Sequence, residues 1–167
     1  MVFLHTTQIL PKMEKLTLEE KATNHDTWRH INRVQQLLSI LIKDLMDRSI
    51  IHDQSKLESP EVELFTEFTD KLSKCTYGSE EYFDNLEKMK PAIKHHHANN
   101  RHHPEFFKSG IKDMTLVDLL EMIADWKAAS ERHGDGNIRK SIEINSKRFD
   151  IPVELVTILE NTVRKYF

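Results

Sequence analysis

The sequence predicts an all-α fold, a single compact bundle of several helices. Along most of the chain, apolar residues recur every three or four positions, which is the spacing of a helix with one buried face. The four glycines lie between these periodic segments, where turns are expected. No stretch of the sequence alternates apolar and polar residues regularly enough to predict a strand. These observations favour helices joined by short turns.

Length and composition indicate one soluble domain. The chain has 167 residues, which suits a single domain of ordinary size. Hydrophobic residues make up 38% and charged residues 31%, a balance typical of folded globular proteins. No apolar run approaches the roughly 18 residues that span a bilayer, and no signal peptide is expected. The single cysteine, Cys75, cannot form an internal disulfide and favours a cytoplasmic location.

The net charge of the chain is −3 when its histidines are neutral. An extended nucleic-acid partner normally requires a basic surface, so none is expected. A nucleotide, a short oligonucleotide or another small phosphate ester held by a metal is compatible with this charge, and so is association of the chain with copies of itself.

The beginning of the chain is predicted to be an arm followed by helix. Residues 1–15 are mixed and aperiodic, so we expect an N-terminal arm there and one helical domain over 16–167. Thr17 and Glu20 have the spacing of a capping box, which predicts that a short helix begins there. A stronger helix is predicted over about 26–48. The apolar stripe of that helix consists of Val34, Leu37, Leu38, Leu41 and Leu45.

Two segments of this region carry candidate metal ligands. His30 lies four residues before Val34 on the same stripe, so it is expected to point inward, where it binds either a metal or a backbone carbonyl. His52 and Asp53 follow two isoleucines at the end of the helix. An imidazole nitrogen and a carboxylate oxygen at one helix end can reach a single ion. The alternative is a surface His-Asp pair that caps the helix.

The densest polar stretch runs from His95 to Glu105 and contains five of the ten histidines. Imidazoles cost free energy to bury without partners, so this stretch is either a solvated turn or a set of metal ligands. Upstream, Ser59-Pro60 predicts the start of a helix, and Pro91 is expected to break, kink or restart a later one. Three successive histidines point in three directions, and we favour His96 as the ligand among them.

The loop after these histidines offers further functional candidates. His102 and His103 precede Pro104 and are expected in an extended or turn conformation. His102 is a candidate metal ligand. His103 is a candidate acid or charge-stabilising residue, or a residue that orients a ligand histidine. Arg101 either contacts an anionic substrate or belongs to a solvated loop.

The C-terminal part of the chain is predicted to contain three helices. Thr115 and Asp118 form a capping-box pattern that starts a helix reaching about His133, and glycines at 134 and 136 close it. Asp125 lies among apolar residues of that helix, where a carboxylate needs a cation or strong donors. Asp118 is explained by capping. Two further helices, over about 137–149 and 152–166, are expected only to pack.

The order of these candidates resembles that of the HD superfamily of metal-dependent phosphohydrolases. The segment His52-Asp53-Gln54-Ser55-Lys56 is similar to the family's His-Asp-x-Gly-Lys form, with Ser55 in place of glycine. The segment Ile123-Ala124-Asp125 resembles the family's Ala-Asp ligand segment. The resemblance covers roughly residues 25–130 and implies an HD-like helical fold. The stretches His96 to Glu105 and Glu121 to Trp126 also look like an uncharacterised family of bacterial and phage proteins.

The resemblance implies a set of metal ligands that come from separate helices. One or two divalent transition-metal ions, Mn, Fe, Zn or Co, are the implied cofactors. The additional histidines resemble subgroups of the family that bind two ions, in which Asp53 would bridge the ions. The implied and candidate ligands are His30, His52, Asp53, His96, His102 and Asp125.

The same resemblance implies that metal-activated water attacks a small phosphate ester, such as a nucleotide or a cyclic nucleotide. Asp53, Lys56 and His103 are the expected catalytic residues, and Lys56 and Arg101 are the expected substrate contacts. The closely spaced histidines and Pro104-Glu105 differ from the subgroup that cleaves cyclic dinucleotides, so that substrate is not expected. A di-iron oxygenase and a non-catalytic module that binds a nucleotide or a metal stay alternatives. The expected location is the cytoplasm of a bacterium or of a phage-infected host.

Overall fold

The computed structural model describes residues 16–74, 79–132 and 136–167. These residues form six α-helices and contain no strand, which confirms the all-α prediction. Short 3₁₀ turns lie between some of the helices, at Gln54–Leu57, Pro104–Phe106 and Gly110–Asp113. The helices are α1 (Leu18–Ile51), α2 (Glu61–Lys74), α3 (Glu80–Asn99), α4 (Leu116–Ser130), α5 (Ile138–Arg148) and α6 (Val153–Tyr166).

Helix α1 begins at the capping box expected from the sequence. The Thr17 amide donates to Glu20 Oε2 at 2.7 Å, and the Glu20 amide donates to Thr17 Oγ1 at 3.2 Å. The prediction of a short helix followed by a separate one over 26–48 is wrong, because a single helix runs from Leu18 to Ile51. No glycine or proline lies in that span, so nothing in the local chemistry ends the first helix early.

The chain divides into two compact units at Lys43 and Asp44, inside α1. The described part of the first unit, residues 16–43, is almost entirely one helix. Its apolar stripe is exposed, with 52% of Leu38 accessible. His30 is also exposed, so the prediction that it points inward is wrong: a single helix has no core of its own. That residues 16–167 form one domain stays a prediction.

The second unit, Asp44–Phe167, contains the main hydrophobic core. The core is formed by α4, α5 and α6, with Met122, Ile123, Ile142 and Leu159 nearly inaccessible to solvent. Helix α2 packs separately against α3. Burial of such side chains is the main stabilising contribution to a fold of this kind.

Helices α3 and α4 provide much of the framework for the polar cluster. Helix α3 continues through Pro91, although the sequence predicted a break, kink or restart there. Helix α4 has the expected capping box: the Asp118 amide donates to Thr115 Oγ1, and the Thr115 amide donates to the Asp118 carboxylate. This prediction is confirmed, and α4 ends at Ser130 rather than near 133. Helix α2 begins at Glu61, one residue after Pro60, which the sequence predicted as its first residue.

Several predicted features fall outside the described residues. They are the N-terminal arm at 1–15 and the segments at 75–78 and 133–135, which include Cys75 and His133. Among the helices that the structure describes, none has both the length and the apolar composition needed to cross a bilayer.

Candidate metal centre

The centre of the candidate site is formed where α1 ends. The helix stops at Ile51, and Asp53 adopts a left-handed backbone conformation with φ 57°. Aspartate tolerates this region better than most residues do, because its short side chain can bond locally. The Lys56 amide donates to the Asp53 carbonyl at 2.9 Å and closes the turn. His52 and Asp53 therefore leave the helix together, and both reach one cluster of polar groups.

Helix α3 and the loop after it bring three histidines to Asp53. His96 Nε2 lies 3.3 Å from Asp53 Oδ1, and His102 Nε2 lies 3.4 Å from the same oxygen. His103 Nε2 lies 2.8 Å from His96 Nε2. His96 and His102 are both buried. Three imidazole nitrogens thus converge on one carboxylate.

Helix α4, which comes later in the sequence, contributes Asp125 to the arrangement. His52 Nε2 lies 3.6 Å from Asp125 Oδ1 and 3.6 Å from Asp53 Oδ2. Asp125 is only partly buried, beside the buried Ile123. We call the six residues that meet here the histidine–aspartate cluster: His52, Asp53, His96, His102, His103 and Asp125.

The cluster contains two groups of atoms that could hold a metal ion. In each group, one ligand atom per residue lies within 4.8 Å of all the others. The first group is Asp53, His96, His102 and His103, and the second is His52, Asp53, His102 and Asp125. Asp53 and His102 belong to both groups. Nitrogen and carboxylate ligands in this combination suit Zn, Mn or Fe.

Unsatisfied polar atoms fit this interpretation. Asp53 Oδ1 and both ring nitrogens of His102 are buried without a hydrogen-bond partner. A buried polar atom left without a partner costs free energy that most proteins avoid. A cation beside Asp53 Oδ1 and His102 Nε2 would satisfy both atoms. The residues present therefore fit a bound metal ion.

A carboxylate behind the cluster orients two of the imidazoles. Glu121 Oε1 lies 3.0 Å from His52 Nδ1 and 3.2 Å from His102 Nδ1. Its other oxygen lies 3.4 Å from the Arg48 guanidinium. Contact at Nδ1 leaves Nε2 of each ring directed at the cluster, as in carboxylate–histidine–metal arrangements.

A second carboxylate serves His96 in the same way. Glu61, the first residue of α2, is fully buried and lies 2.9 Å from His96 Nδ1 through Oε2. Its Oε1 lies 2.7 Å from His95 Nδ1. The Glu61 carboxylate therefore fixes the direction of the His96 ring while His95 remains outside the cluster.

The charges of the cluster are strongly coupled. Burial would raise the pKa of Asp53, but His96 and Lys56 outweigh it and hold the pKa below its usual range. The carboxylates of Asp125 and Glu121 raise the pKa of His52 to about 10. His52 thus carries a proton at neutral pH in the metal-free protein, and a cation must displace that proton to bind.

His103 has the opposite electrostatic character. Burial and the neighbouring His102 and His96 lower the pKa of His103 to about 3. It is a neutral imidazole at neutral pH, which is the form that binds metals. Together with its place in the first ligand group, this property favours His103 as a ligand over a proton donor.

The two predicted substrate contacts already have partners inside the protein. Lys56 Nζ lies 2.5 Å from Asp53 Oδ2, with 37% of its side chain exposed. Arg101 binds the buried Asp118 carboxylate through Nε at 3.1 Å and Nη2 at 3.2 Å. Arg101 and Arg48 also line a cavity of about 280 Å³ that reaches His52. Lys56 and Arg101 therefore lie beside the cluster, and their contact with a substrate stays a prediction.

A third group of potential ligand atoms adjoins the first. It consists of His97, His103 and Glu105 and is more exposed than the other two. Glu105 Oε1 already accepts a hydrogen bond from Arg148 at 2.7 Å. Exposed acidic groups are common in proteins without a metal, so this group, as the most exposed, is the weakest of the three.

Five of the six predicted ligands meet in the histidine–aspartate cluster. They are His52, Asp53, His96, His102 and Asp125. His30 belongs to none of the ligand groups among the described residues, and its role as a ligand stays a prediction. Sequence reasoning missed Glu61 and Glu121 as orienting residues. Glu121 lies one helical turn before Asp125, so the two side chains share a face of the helix, and this spacing could have indicated its role. Glu61 looked like an ordinary acid at the start of a helix.

Fold and site together define an all-α protein with a buried cluster of histidines and aspartates that could hold a metal ion. The chain belongs to a family of unknown function, DUF5662, whose model matches residues 19–165. No curated protein and no solved structure matches the chain. The similarity to the HD superfamily and its fold stays a prediction.

Proposed function

We propose that this protein is a metal-dependent phosphohydrolase that acts on a nucleotide, a cyclic nucleotide or a similar small phosphate ester. The observation that carries the proposal is that Asp53 and His102 are common to two groups of ligand atoms. Two adjacent groups of this kind suit one or two divalent ions, and paired ions are common in enzymes that cleave phosphate esters.

The metal would lower the pKa of a bound water and neutralise charge on the phosphate oxygens. His96 and His103 would hold one ion with Asp53, and His52 and Asp125 would hold another with Asp53. His102 belongs to both groups, but its Nε2 has a single lone pair and would bind one of the two ions. Glu121 and Glu61 keep the imidazoles in place by contacting their Nδ1 atoms. Ligands fixed before the substrate arrives reduce the reorganisation that catalysis requires.

Cationic side chains near the cluster would handle the substrate phosphate. Lys56 lies next to Asp53, and its partly exposed ammonium can turn toward an incoming anion. Arg101 is held by Asp118 and lines the cavity of about 280 Å³ that reaches His52. Positive charge in these places would stabilise the charge that develops on the phosphate during attack by water.

The test begins with metal binding to protein stripped of metal. Calorimetric titration with Mn²⁺ is expected to show one or two sites in the wild type. The Asp53→Asn variant should bind Mn²⁺ at least 10–100-fold more weakly. Replacing a residue that only orients a metal ligand already weakens metal binding by about this factor. Asp70→Asn is the matched control, because Asp70 pairs with Lys74 on the exposed surface of α2.

A hydrolysis assay then distinguishes the functions. With Mn²⁺, Zn²⁺ or Fe²⁺, the wild type and Asp70→Asn should release phosphate from nucleotides or p-nitrophenyl phosphate, or open cyclic nucleotides to nucleoside monophosphates, and Asp53→Asn should do neither. Equal activity in Asp53→Asn would refute the proposed role of the cluster. Metal binding with oxygen uptake in the iron form, and no hydrolysis, would establish an oxygenase instead. Metal binding without any turnover would leave a binding module.

A further inference from the structure

A largely apolar cavity of about 540 Å³ adjoins the histidine–aspartate cluster in the second unit. Its walls come from the end of α1, from α4 and from the end of α6. His52, Glu121 and Asp125 are also part of its lining, so the cavity is continuous with the candidate metal centre. The apolar part of the lining includes Leu45, Leu120, Ala124, Ala128, Tyr166 and Phe167.

The charges of this cavity distinguish it from its neighbour. Among the residues that the structure describes, no lysine or arginine side chain lines it, and its charged side chains besides His52 are those of the acids Glu121 and Asp125. The smaller cavity, which shares His52 and Glu121, is lined by two arginines. Acidic groups at close range disfavour additional phosphates. The larger cavity therefore suits an uncharged group and not a polyphosphate tail.

The size and the side chains of the cavity indicate what such a group would be. A cavity of about 150 Å³ with apolar walls is enough for benzene, and 540 Å³ leaves room for two fused rings. Tyr166 and Phe167 are among its lining residues, and aromatic rings pack favourably on one another. Its volume is also within the usual range of small-molecule sites.

We infer that this cavity binds the aromatic, uncharged organic group of the substrate, while the phosphate ester lies at His52 and Asp125. The placement of the ester rests on the proposed function. The binding of an aromatic group rests only on the cavity. The substrate class is accordingly an aromatic phosphate ester without further charged groups next to the ring.

The first experiment measures binding with phosphonates, whose carbon–phosphorus bond is not hydrolysed. Calorimetry on the full chain with Mn²⁺ compares 1-naphthylphosphonate with methylphosphonate. Burial of two rings should make the naphthyl compound bind about 100-fold more tightly. Equal affinities would overturn the inference. A second titration uses the metal-free chain and 1-naphthalenemethanol. This compound has no phosphorus and should still bind.

A variant that fills the cavity locates the bound group. Ala128→Trp should reduce the preference for the naphthyl compound to less than about threefold and leave Mn²⁺ affinity unchanged. Ala129→Trp is the control, since Ala129 is the adjacent exposed alanine and lines a different cavity. A preference that survives in Ala128→Trp would refute the assignment. If Ala128→Trp does not give the wild-type circular dichroism spectrum, Ala128→Leu replaces it.

The results separate this inference from the proposed function. Naphthyl binding that depends on Ala128, in a protein that hydrolyses no ester, would support the cavity assignment and refute the hydrolase. Hydrolysis of esters without any preference for the naphthyl compound would support the hydrolase and refute the cavity assignment. Sedimentation velocity during the titration identifies one other occupant: a dimer that dissociates as the probe binds would assign the cavity to a second copy of the chain and overturn the inference.

Discussion

Glu121 is a single side chain that orients two candidate metal ligands, His52 and His102. Its carboxylate lies against the Nδ1 atoms of His52 and His102, and its second oxygen faces Arg48. Burial would raise the pKa of Glu121, but His102 and His52 lower it to about 2. The residue is therefore an anion at any pH at which a metal would bind, and its charge attracts both imidazoles, with His52 Nδ1 at 3.0 Å in hydrogen-bond range and His102 Nδ1 at 3.2 Å.

Replacement of Glu121 by glutamine should weaken metal binding without unfolding the protein. The neutral amide is a poorer partner for His52 Nδ1 and lacks the charge that attracts His102 Nδ1, so the rings lose part of their orientation. We expect Mn²⁺ affinity to fall by about 10–100-fold. Calorimetry measures the affinity, and circular dichroism checks the helices. Glu131→Gln is the control, because Glu131 is exposed at the C-terminal end of the same helix and pairs there with Lys127. Equal Mn²⁺ affinity in Glu121→Gln and Glu131→Gln would contradict the orienting role.

At the scale of elements, one buried carboxylate connects three parts of the second unit. Asp118 in the first turn of α4 is fully buried. It binds Arg48 from the end of α1 at 2.5 Å and Arg101 from the loop after α3. It also caps α4 through Thr115. The three segments that carry the histidine–aspartate cluster are thus tied together by the same anion.

The stability provided by Asp118 should depend on pH. Burial would raise the pKa of Asp118, but Arg48, Arg101 and Thr115 lower it from 3.8 to about 2. Because the pKa is lower in the folded protein, the stabilisation is fully present above about pH 4 and is lost as the pH falls toward 2. At neutral pH the effect amounts to about 2 kcal/mol.

Urea denaturation checks this expectation. Asp118→Asn should lower the free energy of unfolding by at least about 2 kcal/mol at pH 7, and the difference from the wild type should shrink at pH 3. Asp70→Asn, in an exposed ion pair, should change it by less than about 1 kcal/mol at either pH. A difference for Asp118→Asn that does not change with pH would show that the charge of Asp118 is not the cause.

At the scale of the whole molecule, metal binding and stability should be linked. The cluster collects its residues from the turn after α1, from α3, from the loop after α3 and from α4. An unfolded chain cannot hold these ligands together, so a bound ion favours the folded state. The buried atoms of Asp53 and His102 that have no partner give the metal-free protein a further cost.

Addition and removal of metal should therefore move the thermal transition. Mn²⁺ at about 100 times its dissociation constant should stabilise the protein by about 2.7 kcal/mol, which corresponds to a rise in Tm of about 5–10 °C. A chelator should reverse the rise. Differential scanning calorimetry should show the full rise in the wild type and in Asp70→Asn, and about half of it or less in Asp53→Asn, whose weaker binding leaves the site only partly saturated. An equal rise in all three proteins would indicate non-specific binding elsewhere.

The sequence allowed the helical class and most of the cluster to be predicted, because both leave local signals. Helical periodicity and the two capping boxes involve residues within four positions of one another. His52-Asp53 and the histidine-rich stretch were visible as unusual composition. The orienting role of Glu61 had no such signal, since an acid in the first turn of a helix is ordinary. The continuity of α1 was missed because two separate local patterns were interpreted as two helices.

By itself, the sequence determined that the protein is all-α, where α1 and α4 begin, and which residue types were available as ligands. These properties depend on propensities and contacts between near neighbours along the chain. Only the tertiary structure decided that His96, His102 and His103 converge on Asp53, and that Glu121 contacts His52 across 69 residues of sequence. It also placed an apolar cavity beside them. Such contacts depend on how helices pack, and packing is set by the three-dimensional fit of side chains that are distant in sequence.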